Sequence, residues 1–284
     1  MAKDDGNRRA KMLTKKSTPI FITMTTDFGE KDRYVFEMKS RFYRELAERG
    51  GDLDRFVLLD VTHYIPRQNV RAAWPVVRNL PSSCPGASFH LVVVDPGVGT
   101  DRRGLVVDTG RDLFVAPDNG VLTEVLSRFP QRRAFVIDSF WRKAPAGAGI
   151  VFDGRDLFVP ALAALATGTP PEKIGPPASD PVLLEVPRAA REGERVFGEV
   201  TSVDSFGNLQ TNIPAEWISA GAVVELEAGG KSVPYGRAYA EDRNGTGIAL
   251  PSSEGFLEIA VRGGSAAEKF GIAPGHRVTV KNVR

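Results

Sequence analysis

Residues 168–190 carry Pro170, Pro171, Pro176, Pro177, Pro181 and Pro187 with little hydrophobic period, and the patterning on their two sides differs. No helix or central strand tolerates that proline density, so the stretch reads as a linker or an extended crossover that divides the chain. Before it, from Pro19 to about Leu165, short β-rich runs alternate with helical patterns, as in a sheet flanked by helices. Beyond it come "ERVFGEVTSVD", "AVVELEAGG", "KSVPYGRAYAE", "GIALPSSEGFLEIAV" and "HRVTVKNV", short alternating strands separated by glycine, proline and asparagine turns. These predict a small all-β barrel or sandwich. The expected organisation is a basic leader at 1–18, an α/β domain at 19–167, the linker at 168–190 and a smaller all-β domain at 191–284.

In the first domain "IFITMTTDFG" predicts a strand ending at Asp27, and Val35, Met38, Phe42 and Leu46 predict a helix that stops at Gly50 and Gly51. "RFVLLDVT" and "ASFHLVVVD" predict two more strands. Between them Asn69 is placed to cap a helix through "VRAAWPVVRNL", which Pro75 must kink or shorten. Shorter strands are expected around Leu105–Val107, Leu113–Val115 and Ala134–Ile137, and helices over Gly120–Arg128 and Gly154–Ala166.

Composition narrows the function classes. The apolar fraction of 42% and charged fraction of 25% are those of a soluble globular protein, and no run approaches the roughly 18 apolar residues of a membrane helix. The net charge of +2 is concentrated in the leader, where Lys3, Arg8, Arg9, Lys11, Lys15 and Lys16 face only Asp4 and Asp5. The remaining body is slightly acidic, which argues against nucleic acid as a partner. The leader lacks the apolar core of a secretory signal, and a single cysteine, Cys84, gives no intrachain disulfide; the cytoplasm is the expected compartment. His63, His90 and His276 are too scattered for a metal cluster, and no Gly-x-Ser-x-Gly elbow supports acyl chemistry. No metal is expected.

Ligands usually bind at strand ends in a helix-flanked sheet. Four such ends are polar: Thr25–Asp27, Asp95–Arg103, "APDNG" at 116–120 and "FDGRD" at 152–156. "DPGVGTDRR" lacks the Walker spacing and the GxGxxG arrangement, so it is no phosphate loop. It is either a plain glycine turn or a carboxylate, Asp95, that Arg102 fixes and keeps ionised. Asp27 suits either a ribose diol or an Asx-type turn before Gly29. Asp204, Asn208 and Asn212 surround an aromatic-glycine turn, and the two asparagine amides are explained by adenine reading or by turn chemistry alone.

Taken in order, "TTDFGEKDRYV", "DVTHYIPRQNVRAA", "VVVDPGVGTDRR", "FVAPDNGVLT", "FDGRDLFVPALAAL", "SFGNLQTNI" and "GFLEIAVRGGSAAEKFG" resemble the S-adenosyl-L-methionine hydroxide adenosyltransferase family, relatives of fluorinase and chlorinase. The resemblance runs from about residue 20 to the C-terminus. It implies an α/β domain followed by a β-barrel, a homotrimer with sites at subunit interfaces, and hydrolysis of S-adenosylmethionine to adenosine and methionine without a cofactor. By resemblance Asp27 holds the ribose diol, Asp204 the methionine amine, Asn208 the adenine edge and Ser253 the methionine end. Phe152 belongs to the substrate pocket. Asp95 and Arg102 match two members of an Asp-Arg-His triad that positions water. Asp153 stands where that triad has its histidine, which leaves a protein that binds without turnover, and less readily a halide-using transferase, as alternatives.

Overall fold

The computed structural model describes residues 18–226 and 230–281, so most of the basic leader at 1–18 lies outside the described residues. Contacts divide the chain between Leu184 and Glu185 into two units.

The N-terminal unit is built on six strands: β1 (Ile20–Thr26), β2 (Phe56–Thr62), β3 (Ser88–Val93), β4 (Gly104–Asp108), β5 (Leu113–Pro117) and β6 (Arg133–Val136), in the order β2-β1-β3-β5-β4-β6. β1, β2, β3 and β5 run parallel, while β4 is antiparallel to both β5 and β6. Period-two alternation sorts their side chains into two cores. Ile20, Ile22, Met24, Phe89, Leu91, Val93, Leu113 and Val115 join the first core, whereas Val92, Val94, Phe114 and Ala116 join the second.

Helices α1 (Tyr34–Glu48) and α4 (Val159–Ala166) cover the first core, and α2 (Trp74–Ser83) and α3 (Thr123–Arg128) the second. In α1, Met38, Phe42, Glu45 and Leu46 form the buried stripe, and Gly50 at φ 68° ends the helix. Asn69 accepts the N–H of Ala72 at 3.1 Å, starting a 3₁₀ turn, Arg71–Ala73, that runs into α2. Pro75 falls in the first turn of α2, where its missing N–H costs nothing, so it opens the helix rather than kinking it. The helix expected over 154–166 is split: Gly154–Phe158 is a wide π-turn and α4 follows it.

The proline-rich stretch is laid largely along the N-terminal unit. Val136 donates to Pro176 O at 2.8 Å, Ala178 to Ala134 O at 2.8 Å, and Val182 to the carboxylate of Asp118 at 2.7 Å. Extended proline-containing chain suits such a sheet edge, since prolines need no ladder donor there.

His90, on the second-core face of β3, is wholly buried with Nδ1 2.8 Å from Thr23 Oγ1. Nε2 lies 3.9 Å from Asp112 Oδ1, beyond hydrogen-bond range. Burial first, then the charge of Arg111, pushes its pKa down from 6.5 to about 3. The unfolded chain therefore binds a proton that the folded chain refuses between those pH values, and stability falls as pH drops below 6.5. The contribution is up to about 1.4 kcal/mol per pH unit. Urea melts from pH 7 to 4 are expected to show this slope in the wild type and a shallower one in His90→Gln; identical slopes would remove His90 as its source.

The C-terminal unit is an eight-stranded antiparallel sheet: β7 (Ala190–Glu192), β8 (Arg195–Val203), β9 (Leu209–Pro214), β10 (Val223–Leu226), β11 (Lys231–Pro234), β12 (Ile248–Pro251), β13 (Phe256–Ala260) and β14 (Arg277–Lys281). The path β11-β10-β14-β8-β9-β13-β12, with β7 added on β8, curls until Tyr235 bridges Ala249, and Gly236 donates to Ala249 O at 2.8 Å. The result is a nearly closed barrel around Val196, Val200, Leu209, Val224, Leu257, Ile259 and Val280. A short helix, α5 (Ala266–Phe270), is capped by Ser265 and ended by Gly271 at φ 66°. β9 is not among the expected strands. Its alternation of buried and half-buried residues starts directly at the asparagine-bearing turn. Among the described residues no helix is long and apolar enough to cross a membrane.

Candidate active site

β1 and β3 are adjacent, with Thr26 opposite Val93, and β2 lies on one side of this pair and β5 on the other. Their C-terminal ends therefore flank the place where the chain changes direction across the sheet, the usual crevice of such folds. Asp27 and Asp95 leave these two ends.

After Asp95 the loop turns tightly. Val98 donates to Asp95 O at 3.3 Å, Thr100 Oγ1 to Gly97 O at 2.7 Å, and the N–H of Arg102 to Thr100 Oγ1 at 3.3 Å. Gly99 adopts φ 81°, and a Cβ there would sit 2.7 Å from Ile150 O, so no side chain fits. The turn returns Arg102 onto Asp95 as a bidentate fork, Nε to Oδ1 at 3.0 Å and Nη2 to Oδ2 at 2.6 Å. Nη2 also donates to Asp153 Oδ2 at 2.8 Å, and Nη1 to Arg103 O at 3.0 Å. The guanidinium lies 5.2 Å from the centre of the Phe158 ring.

Asp153 enters from the residue before the π-turn. Its other oxygen, Oδ1, accepts from Arg142 Nη1. The side chains of Asp95, Arg102 and Asp153 are only 5, 7 and 3% exposed. Burial pushes the Asp95 carboxyl above its ordinary range, and the charge of Asp153 adds to that, against the pull of Arg102. Burial also works against ionised Asp153, but hydrogen bonds from Arg142 and Arg102 outweigh it and hold that carboxyl below the ordinary range. The two carboxyls are thus driven apart.

Asp95 and Asp153 line a cleft of about 150 Å³ with Phe28, Tyr34, Phe152 and Gly154. The three rings meet at 5.3 to 5.8 Å, Phe152 edge-on to both others. Arg155 stacks on Phe152 at 5.0 Å and is itself held by Glu37 and Asp156. The "APDNG" end has a bracing role. Asn119 Nδ2 donates to Val94 O at 2.9 Å, while Asp118 receives Arg103, which points away from Arg102 to the proline-rich stretch at Asp180.

Asp27 does not form an Asx turn before Gly29. Its Oδ2 accepts the N–H of Gln68 at 2.7 Å, tying the strand end to a loop whose Gln68 sits at φ 61°, and Gly29 donates to His63 O instead.

In the C-terminal unit Asp204 and Asn208 are bound to each other. Asp204 Oδ1 accepts from the N–H groups of Phe206 and Asn208 at 2.8 and 2.9 Å, and Oδ2 from Asn208 Nδ2 at 3.0 Å. Asn212 is a strut, accepting from Glu199 N and donating to Pro187 O. Ser253 is exposed at the turn between β12 and β13. Sequence reasoning missed a further cluster here. Buried Glu258 accepts from Tyr239 Oη at 2.5 Å and from Gln210 Nε2 at 2.6 Å. The bond to Glu258, then burial and the charges of Glu258 and Asp204, push the Tyr239 phenol up to about 12. An acid inside the apolar strand "GFLEIAV" was the available signal.

Two family models match the chain: the SAM hydroxide adenosyltransferase N-terminal domain over residues 22–175, and its C-terminal domain over 198–279. A relative from Thermus thermophilus named (R)-S-adenosyl-L-methionine hydrolase is 39% identical, over 89% of this chain and 96% of its own. One of the same name from Salinispora tropica is 33% identical, over 92% and 97%. A fluorinase from Actinopolyspora mzabensis is 25% identical, over 93% and 97%. The crystal structure of an uncharacterized conserved protein from Thermotoga maritima superposes with a TM-score of 0.81 at 33% identity, covering 92% of this chain and 99% of that one. With both halves matched in order, the chain belongs to the SAM hydroxide adenosyltransferase family.

Proposed function

We propose that this protein is an enzyme that hydrolyses S-adenosyl-L-methionine to adenosine and L-methionine, water or hydroxide attacking ribose C5′ as methionine departs. The observation that carries this reading is the Asp95 carboxylate, gripped by the Arg102 fork at the mouth of a cleft walled by Phe28, Tyr34 and Phe152. Relatives at 39% and 33% identity bearing the hydrolase name support it.

A sulfonium is already a good leaving group, and its charge is dispersed as the C–S bond breaks. Strong stabilisation of the cation would lower the ground state more than the transition state. The useful work is alignment: a water held in line with C5′ and sulfur, with bulk solvent excluded by the rings, gains a proximity effect on the order of 7 kcal/mol or more. Asp95 accepts a hydrogen bond from that water and takes its proton as the C–O bond forms; Arg102 fixes Asp95, and Asp153 completes the set. Water is the only co-reactant, and neither metal nor cofactor enters. Phe152 packs on the substrate and Asp27 binds the ribose diol. Asp204, Asn208 and Ser253 take the methionine amine, the adenine edge and the methionine end, supplied by a neighbouring copy in a cytoplasmic homotrimer. Halide is a poor nucleophile here because the Asp95 carboxylate lining the cleft repels an anion and finds no proton on it to accept.

Incubation with each sulfonium epimer in ¹⁸O-water tests the reaction. Adenosine and methionine are expected in equal amounts from the (R) epimer, the form in the relatives' name, with the label in adenosine alone. No adenosine above the enzyme-free control would sink the hydrolase reading. Calorimetric binding without product would then favour a protein that binds only, the reading that Asp153, with both oxygens taken by guanidinium groups, keeps in view.

A further inference from the structure

Arg142 reaches Asp153 from outside the loop and turn that carry the other three charged groups. It follows a 3₁₀ turn, Ser139–Trp141, after β6, and its place is fixed on both sides. Trp141 is buried with its indole N–H on Ile174 O at 2.9 Å, and the N–H of Lys143 bonds Asp156 O at 2.8 Å. From there Arg142 donates to Asp153 Oδ1, the oxygen that Arg102 does not use.

Asp95 and Asp153 share Nη2 of one guanidinium, at 2.6 and 2.8 Å. A single positive charge between two buried carboxylates leaves the trio negative, and such a pair takes up a proton more readily than either group alone. A proton shared there would compete with the water for Asp95. Arg142 brings the set to two negative and two positive charges. Among the described residues no other neighbour does so: Arg155 is turned to Glu37 and Asp156, Arg103 to Asp118 and Asp180, and Tyr34 lines the cleft with its ring.

We infer that Arg142 is a positioning residue for the hydrolysis: it holds Asp153 ionised and tied to the Arg142 guanidinium, so that of the two carboxylates lining the cleft Asp95 is the one that takes the proton of the water. The inference rests on the reaction proposed above. The depressed carboxyl of Asp153, held by Arg142 and Arg102 against burial, and the raised carboxyl of Asp95 agree with it in direction.

The test is the pH profile of kcat/KM for adenosine formation in Arg142→Met, Asp153→Asn and the double variant. Arg142→Met is expected to move the acid limb up by about one pH unit. At pH values below the wild-type limb its kcat falls by up to about tenfold while KM changes less than about threefold. Arg142→Lys restores the charge and returns the limb to within about 0.3 units of wild type. In the Asp153→Asn background the methionine substitution leaves the limb in place, because the second carboxylate is gone. An unmoved limb in folded Arg142→Met, or an equal shift in the Asp153→Asn background, overturns the inference. Arg142→Gln, which removes the charge and keeps one hydrogen bond, carries the same test if the methionine variant does not fold. A wild-type protein that forms no adenosine overturns the reaction itself, and is distinguished by being measured first.

Discussion

Asp95→Asn is expected to lower kcat for adenosine formation by about 100- to 10,000-fold, the range lost with a positioned proton acceptor. KM should stay within about threefold of wild type, since an interaction with the attacking water is made in the transition state and not in substrate binding. Asparagine is nearly isosteric and keeps one oxygen for Arg102, whose second bond to Asp153 remains. The fold is therefore preserved, and a melting temperature near that of the wild type separates lost chemistry from lost structure. Chromatographic rates across substrate concentration decide it: near-normal kcat in Asp95→Asn would show that another group orients the water.

Arg102→Met should fail differently, losing stability as well as activity. The guanidinium spends its donors on Asp95, Asp153 and Arg103 O while its side chain is 7% exposed. Removing it leaves a buried carboxylate without its partner, at a cost of about 3–5 kcal/mol. For a unit of this size that corresponds to a fall in melting temperature of roughly 6–20 °C. Arg102→Lys restores charge but cannot form the fork, so scanning calorimetry should show partial recovery of stability while adenosine formation stays low. Wild-type rates in the lysine variant would show that bidentate geometry is dispensable.

Much of the N-terminal architecture was legible because α1 buries one stripe and shows its helical period, while β3, β4 and β5, buried on both faces, stand out as short apolar runs between turns. The meeting of Asp95 and Arg102 was legible for another reason. Glycines at 97 and 99 and an arginine seven residues after the aspartate leave few ways for the loop to run. The place of Asp153 came through only by resemblance, since fifty-eight residues separate it from Asp95 and no local pattern links them. Arg142 carried no sequence signal at all. Its reach is set by a 3₁₀ turn and by Trp141 bonding to Ile174, which are tertiary facts. The same holds for Glu258, whose meaning depends on which side chains the barrel brings over it, and for residues 168–184, whose run finds its partners on β6, Arg103 and Asp118 only once the sheet has formed.

The two-sided sorting of β3 reaches further than the core. Phe89, Leu91 and Val93 belong to the α1/α4 side and Val92 and Val94 to the opposite one, so Asp95 is the next odd member of the first series. Asp153 heads the turn into α4 on that same side. The meeting of the two carboxylates therefore depends on parity. Insertion or deletion of one residue between Ser88 and Val94 would deliver Asp95 to the wrong side of the sheet, whereas substitutions that keep the count leave its address unchanged. In this fold the length of a strand is as much a part of the active site as the residue at its end.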